Sequence, residues 1–133
     1  MSIDLARLNE QMPFAAGLGI EVIDNGKEQV RARMAWAPER CTSFGVLHGG
    51  AVMALADSAG AICAVNNLPD GAWTSTIESK TNFFRAVKEG YVEATSMPLH
   101  VGRTTIVVQT DVRDSAGKRV ALVTQTQAVL RQD

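Results

Sequence analysis

Residues 44–69 read FGVLHGGAVMALADSAGAICAVNNLP, and the whole interval between Arg40 and Asp70 holds one formal charge, that of Asp57. Ala51 to Val65 is the most apolar run in the chain. It is shorter than the roughly 20 residues a bilayer span needs, and a carboxylate interrupts it. It reads as a helix buried in a globular protein. A helix that is apolar on nearly all sides cannot present much of its surface to water, so the rest of the chain must provide a cover.

The flanking sequence has other periods. Upstream, Ile3 to Met12 spaces Leu5, Leu8 and Met12 at helical intervals and predicts a short amphipathic helix on the outside of the fold. From Gly19 onward the alternation is that of strands: IEVI is followed by DNG and then by EQVRARMAW, in which Val30, Ala32 and Met34 alternate with Arg31 and Arg33. Asn25-Gly26 suits a two-residue hairpin turn. Downstream, STIESKTNFF, YVEATSMPLHV, TTIVVQTDV and RVALVTQTQAVL are separated by KEG, GR and SAGK. They predict three or four strands in a meander, with Ile77 and Phe83 on one face of the first and Glu78 and Lys80 on the other. Helix, two strands, long apolar helix, then strands is the order of an α+β domain in which one antiparallel sheet covers one helix. A single curved sheet covers only part of such a helix, and a second copy of the chain is expected on the remaining flank.

The chain has 133 residues, 46% of them apolar, which is enough for one domain spanning residues 1–133 with a core of its own. A net charge of -1, with the charges scattered, offers no footprint for nucleic acid or an anionic membrane. Cys41 and Cys63 have no metal-ligand spacing and read as two free thiols in a reducing compartment. MSIDLARLNEQM lacks the apolar core of a signal peptide. A cytoplasmic location is expected.

Asp57 admits a structural reading, since a buried carboxylate can cap a turn or bond to a strand when paired. However, no Lys or Arg lies three or four positions to either side. A desolvated carboxylate without a partner is costly to keep, which favours a chemical role. His48-Gly49-Gly50 opens the same helix. Its glycines permit close approach of a ligand, and the unpaired N–H groups of a helix start can bond an oxygen that gains negative charge. The same triplet also suits a plain loop-to-helix turn. Gly49 and Asp57 are eight residues apart, which is roughly 12 Å along a helix. One carbonyl therefore cannot touch both. If both serve one substrate, they come from different subunits, on helices running antiparallel about a two-fold axis.

The string FGVLHGGAVMALADSAGA, followed after a gap by TSTIESKTNFFRAV and then VGR, resembles the hotdog-fold acyl-CoA thioesterases, in particular the PaaI-type and 4-hydroxybenzoyl-CoA group. The likeness covers most of the chain from about Gly19 to the end and centres on HGG followed by the acid. It implies a hotdog fold, an antiparallel sheet wrapped around the long helix. It also implies hydrolysis of a small aryl- or short- to medium-chain acyl-CoA to the free acid and coenzyme A. No metal or separate cofactor is expected, coenzyme A being part of the substrate. Asp57 would be the nucleophile on the thioester carbonyl or the general base on a water. Gly49 would donate its N–H from the partner subunit, and His48 would shape the pocket. Thr76 would position water, with Gly50 and Ser58 beside the site. Arg103, and Arg85 with Lys88 after Phe83-Phe84, are candidates for the phosphates of coenzyme A, against the ordinary reading of surface arginines. A homodimer is expected, and a tetramer of two such dimers beyond it.

Many relatives carry Asn or Gln six residues before the His, where this chain has Thr42. A hydroxyl reaches less far than an amide. That departure keeps a non-catalytic acyl-CoA-binding module in view, and the pairing of a histidine with an acid keeps an enoyl-CoA hydratase or dehydratase. A Cys41–His48 nucleophile lacks a third group to orient it. The depth of the acyl pocket is expected to depend on the N-terminal helix, Trp73 and the partner subunit.

Overall fold

A computed structural model describes residues 4–132; Ile3 and the side chain of Leu5, both within the predicted N-terminal helix, lie outside the described residues. That segment forms a 3-10 turn at Leu5–Arg7, helix α1 (Leu8–Gln11) and helix α2 (Pro13–Gly17). Pro13 lacks an N–H to give to a preceding turn and so begins a new helix rather than continuing α1. Met12, between them, packs half-buried against the core.

Strands β1 (Glu21–Asn25) and β2 (Val30–Ala35) form the expected hairpin. Its connection is longer than the two residues expected: residues 26–29 close it, with the Gly26 N–H on the Gln29 carbonyl at 3.0 Å. The Asn25 side chain is engaged elsewhere, accepting from Asn66 Nδ2 at 2.6 Å while the same amide also reaches the Gly26 carbonyl at 2.9 Å. The end of the central helix thus clamps the turn.

That helix, α3 (Gly49–Val65), leads to β3 (Trp73–Phe83), β4 (Tyr91–Val101), β5 (Thr105–Asp114) and β6 (Arg119–Leu130). All strands join one six-stranded antiparallel sheet in the order β1-β2-β4-β5-β6-β3. Only β4, β5 and β6 form a meander. β3 does not lie beside β4 but forms the far edge against β6, so the chain crosses the sheet twice, first through α3 and then through residues 84–90. α3 is roughly 25 Å long, and it lies against all six strands. The strands alternate accordingly: Val30, Ala32, Met34, Ala94, Val108 and Val123 turn inward onto Val52, Leu55, Ala56, Ala59 and Ile62 of the helix. None of the described helices is long and apolar enough to cross a membrane.

A bulge in β3 alters the predicted faces. Thr76 lies opposite Gln127 and Glu78 opposite Thr126, which leaves Ile77 unpaired and 63% exposed. The extra residue shifts the alternation by one, so Thr74, Thr76, Ser79, Thr81 and Phe83 share the helix side and Ile77 leaves the face it was assigned with Phe83. Glu78 and Lys80 point away from the helix as expected. Trp73 pairs across from Leu130 on the outer side, away from the helix.

The outer face is held by polar pairs. Arg33 bonds Glu93 at 2.9 Å and stacks 4.0 Å above the Tyr91 ring. Between β5 and β6, Asp111 accepts from Arg113 at 2.8 Å and Arg119 at 2.9 Å. Its partial burial resists ionisation, but the two guanidinium bonds outweigh this and hold its carboxyl below the ordinary range. A lowered folded value means that the stabilisation is complete above the ordinary carboxylate range and is lost as pH falls through it. Asp111→Asn should therefore lower the melting temperature at neutral pH, and the gap to the native protein should close on acidification, as followed by circular dichroism.

Candidate active site

The loop before α3 is built to present the helix start. Trp36 Nε1 donates to the Gly45 carbonyl at 2.9 Å, the Thr42 N–H reaches the Val46 carbonyl at 2.8 Å, and Phe44 adopts a left-handed backbone at φ 65 with its ring 94% exposed. His48 is the N-cap. Its Nδ1 accepts the Gly50 N–H at 2.7 Å, and its carbonyl takes those of Ala51 and Val52 at 2.9 and 3.2 Å. Among the described residues the Gly49 N–H has no hydrogen-bond partner. The two glycines leave room for their neighbours, since a Cβ on Gly50 would fall 2.9 Å from His48 Nδ1 and one on Gly49 3.2 Å from the Phe83 ring.

Two cavities flank this helix start. One, of about 380 Å³, is lined by Thr42, Gly49, Val52, Phe83, Phe84 and Arg85 among others. The other, of about 320 Å³, is lined by Gly50, Met53, Ala54, Asp57, Thr76 and Ser79. Of the predicted site residues, Thr42, Gly49 and Arg85 thus open onto the first and Gly50, Asp57 and Thr76 onto the second, while His48 lines neither. Within one chain Gly49 and Asp57 open onto different cavities, in keeping with the distance expected from their spacing. Arg85 also borders, with Lys88, a depression beside the first cavity. Ser58 is buried and lines neither cavity, because the next position on a helix points elsewhere. Arg103 lines neither; its carbonyl accepts from Arg131 Nη1 at 2.7 Å. Trp73 lines neither as well.

The environment of Asp57 corrects the expectation of a carboxylate walled in by apolar side chains. In this chain Asp57 lies on an exposed flank of α3, with Gly50 and Met53 toward the helix start. Among the described residues no Lys or Arg pairs with it. Neutral donors hold it instead: Gln125 Nε2 gives a 2.8 Å bond to Oδ1, and Thr76 Oγ1 approaches the same oxygen at 3.4 Å. Thr76 is in turn bonded by Gln127 Nε2 at 2.7 Å, and Gln127 Oε1 lies 3.0 Å from Thr74 Oγ1. Sequence reasoning passed over both glutamines. The signal was in VTQTQAV, where the alternation that turns Val123 and Val129 inward turns Gln125 and Gln127 inward with them.

The Cys41 thiol donates to the Ala37 carbonyl at 3.3 Å, while His48 Nδ1 is occupied by Gly50, so the two do not form a nucleophile–base pair. Among the described residues no three His, Cys, Asp or Glu side chains gather where a metal ion could be held.

Residues 44–121 match the model of the thioesterase superfamily. The chain belongs to that superfamily. It is 37% identical to ComA2 of Bacillus subtilis over 86% of this chain and 91% of that protein. It is 32% identical to the proofreading thioesterase EntH of Cronobacter turicensis over 85% of this chain and 82% of that one. A thioesterase from Haemophilus influenzae superposes with a TM-score of 0.90 at 29% identity, covering 98% of this chain and 93% of that one. The wrapped-helix architecture is therefore the hotdog fold, and the protein is a thioester hydrolase.

His48 should prove a cap in solution. His48→Ala should lower stability by about 0.5–2 kcal/mol and His48→Asn, which keeps a capping acceptor, should recover most of it. The urea midpoint of each variant measures this.

Proposed function

We propose that this thioesterase hydrolyses small aryl- or short- to medium-chain acyl-CoA esters, with Asp57 as the acting carboxylate. The observation that carries this is the setting of Asp57: one oxygen held by neutral donors, among the described residues no cation to cancel its charge, and an open cavity on the helix whose first N–H, that of Gly49, has no partner among those residues. In the general-base form, a water adds to the carbonyl carbon as its proton passes to Asp57. The tetrahedral oxyanion is stabilised by the N–H of Gly49. On collapse the C–S bond breaks, and the coenzyme A thiolate leaves and takes up a proton. In the nucleophilic form, Asp57 itself adds, coenzyme A leaves, and water cleaves the resulting anhydride. Thr76 and His48 serve this site by orienting the carboxylate and the helix start. Thr42 and Arg85 line the neighbouring cavity, where Arg85 can meet a phosphate of the substrate.

The site so assigned needs two chains. Gly49 and Asp57 face different cavities of one chain, and the flank between them carries Met53 with the exposed rings of Phe83 and Phe84 nearby on the rim. A second copy laid antiparallel along α3 would cover this apolar surface and bring the Gly49 of one protomer to the Asp57 of the other. We assign the protein a homodimer on this basis, and a cytoplasmic setting to which its free thiols are suited.

Release of coenzyme A thiol across a panel of aryl-, short- and medium-chain esters tests the reading. Asp57→Asn should lower kcat by about a hundredfold to ten-thousandfold with the dimer intact by sedimentation, and Arg85→Ala should act chiefly on KM. A folded Asp57→Asn protein with full activity would refute the role of Asp57, and tight acyl-CoA binding without thiol release would favour a binding module. Hydration of an enoyl-CoA would favour the hydratase reading, which the turned-back ring of His48 does not support.

A further inference from the structure

The inward positions of β6 run Ala121, Val123, Gln125, Gln127 and Val129, so two amides occupy places that the same face otherwise gives to small apolar side chains. Both are 1% exposed. Gln127 is balanced, with Thr76 receiving its Nε2 and Thr74 beside its Oε1. Gln125 is not. Its Nε2 donates to Asp57 Oδ1 at 2.8 Å, while its Oε1 is buried without a hydrogen-bond partner among the described residues. An orphaned buried acceptor costs stability. An unbranched apolar side chain of similar length would fill the space without that cost.

The backbone of α3 makes room for this amide. A Cβ on Gly60 would overlap Gln125 Oε1, so the amide takes this position only beside a glycine at residue 60. The amide is also held in one sense. Turning it over would set Oε1 against a carboxylate oxygen, and an ionised carboxylate only accepts. Gln125 and Thr76 both address Oδ1, and among the described residues Oδ2 has no partner.

We propose that Gln125 is a positioning residue of the hydrolytic site, gripping Oδ1 of Asp57 so that Oδ2 is the oxygen presented to the reacting groups, and that Gly60 is glycine to admit it. This rests on the assignment of thioester hydrolysis to Asp57. A neutral amide suits the task because it fixes the carboxylate without cancelling its charge, as a guanidinium would.

Proton NMR of the full-length protein tests the grip without substrate. The side-chain amide resonance of Gln125, identified by its loss in Gln125→Met, should move as the protein is acidified and should stay still in Asp57→Asn. Asp57 is the group that can drive this movement. The inward residues of β3 (Thr74, Thr76, Ser79, Thr81) and β5 (Ile106, Val108, Thr110) carry no ionisable side chain, and the other titratable side chain on α3 is Cys63, pushed by burial up to about 11. In the thiol-release assay Gln125→Met should lower kcat about tenfold to a hundredfold at unchanged KM, as expected for loss of a bond to a charged group, with an equal or higher melting temperature. In the Asp57→Asn background the same change should have less than about a twofold effect. Gly60→Ala, which crowds the amide, should reproduce the kcat loss if Gln125→Met does not fold. A resonance that ignores acidification, or an equal loss of rate in both backgrounds, overturns the proposal. If the native protein releases no thiol from any ester, the assigned activity fails, and the resonance still decides whether Gln125 grips the charged Asp57.

Discussion

The rest of the structure depends on covering α3. Its small residues, Ala56, Ala59, Gly60 and Ala64, let the sheet approach the helix backbone, and the larger ones, Leu55 and Ile62, are almost fully removed from water. At about 1.5–3 kcal/mol for each large apolar side chain buried, this contact is a principal source of stability. It also leaves a remainder. A sheet packs on one side of a helix, and the side it leaves open carries Gly50, Met53 and Asp57. The position of the carboxylate thus follows from the same packing that forms the core.

A charged group at such a place must be stabilised without being neutralised. A Lys or Arg beside Asp57 would form a stable pair and cancel its charge. Here the partners are an amide and a hydroxyl, which orient the carboxylate and leave its charge intact. The helix start is arranged in a similar way. His48 satisfies the second N–H of the helix, that of Gly50, and the first, that of Gly49, has no partner among the described residues. A carboxylate oxygen and a backbone N–H are thus each left, among the described residues, without a hydrogen-bond partner, and the two residues open onto different cavities of the chain.

Much of this was legible in the residue order because it is local. The apolar run from Ala51 to Val65 dictates a buried helix, the alternation around Val30 to Met34 and through the last third dictates strands, and HGG with the acid after it marks the family and the candidate site. These signals depend on the side-chain period, which neighbouring residues set among themselves. The eight-residue spacing of Gly49 and Asp57 likewise carried its geometric consequence unaided.

Tertiary structure decided what depends on partners distant in sequence. β3 could pair with β4 or β6 on pattern alone, and its place at the edge beside β6 is what brings Thr76 to Asp57 and Gln127 to Thr76. The bulge at Ile77 lies within that pairing, and the four-residue hairpin is bonded by Asn66 from beyond the end of α3. The isolation of Asp57 from cations could be read within its own helix. Its bond to Gln125 spans 68 positions, and the amide that makes it sits where a side chain at residue 60 would stand.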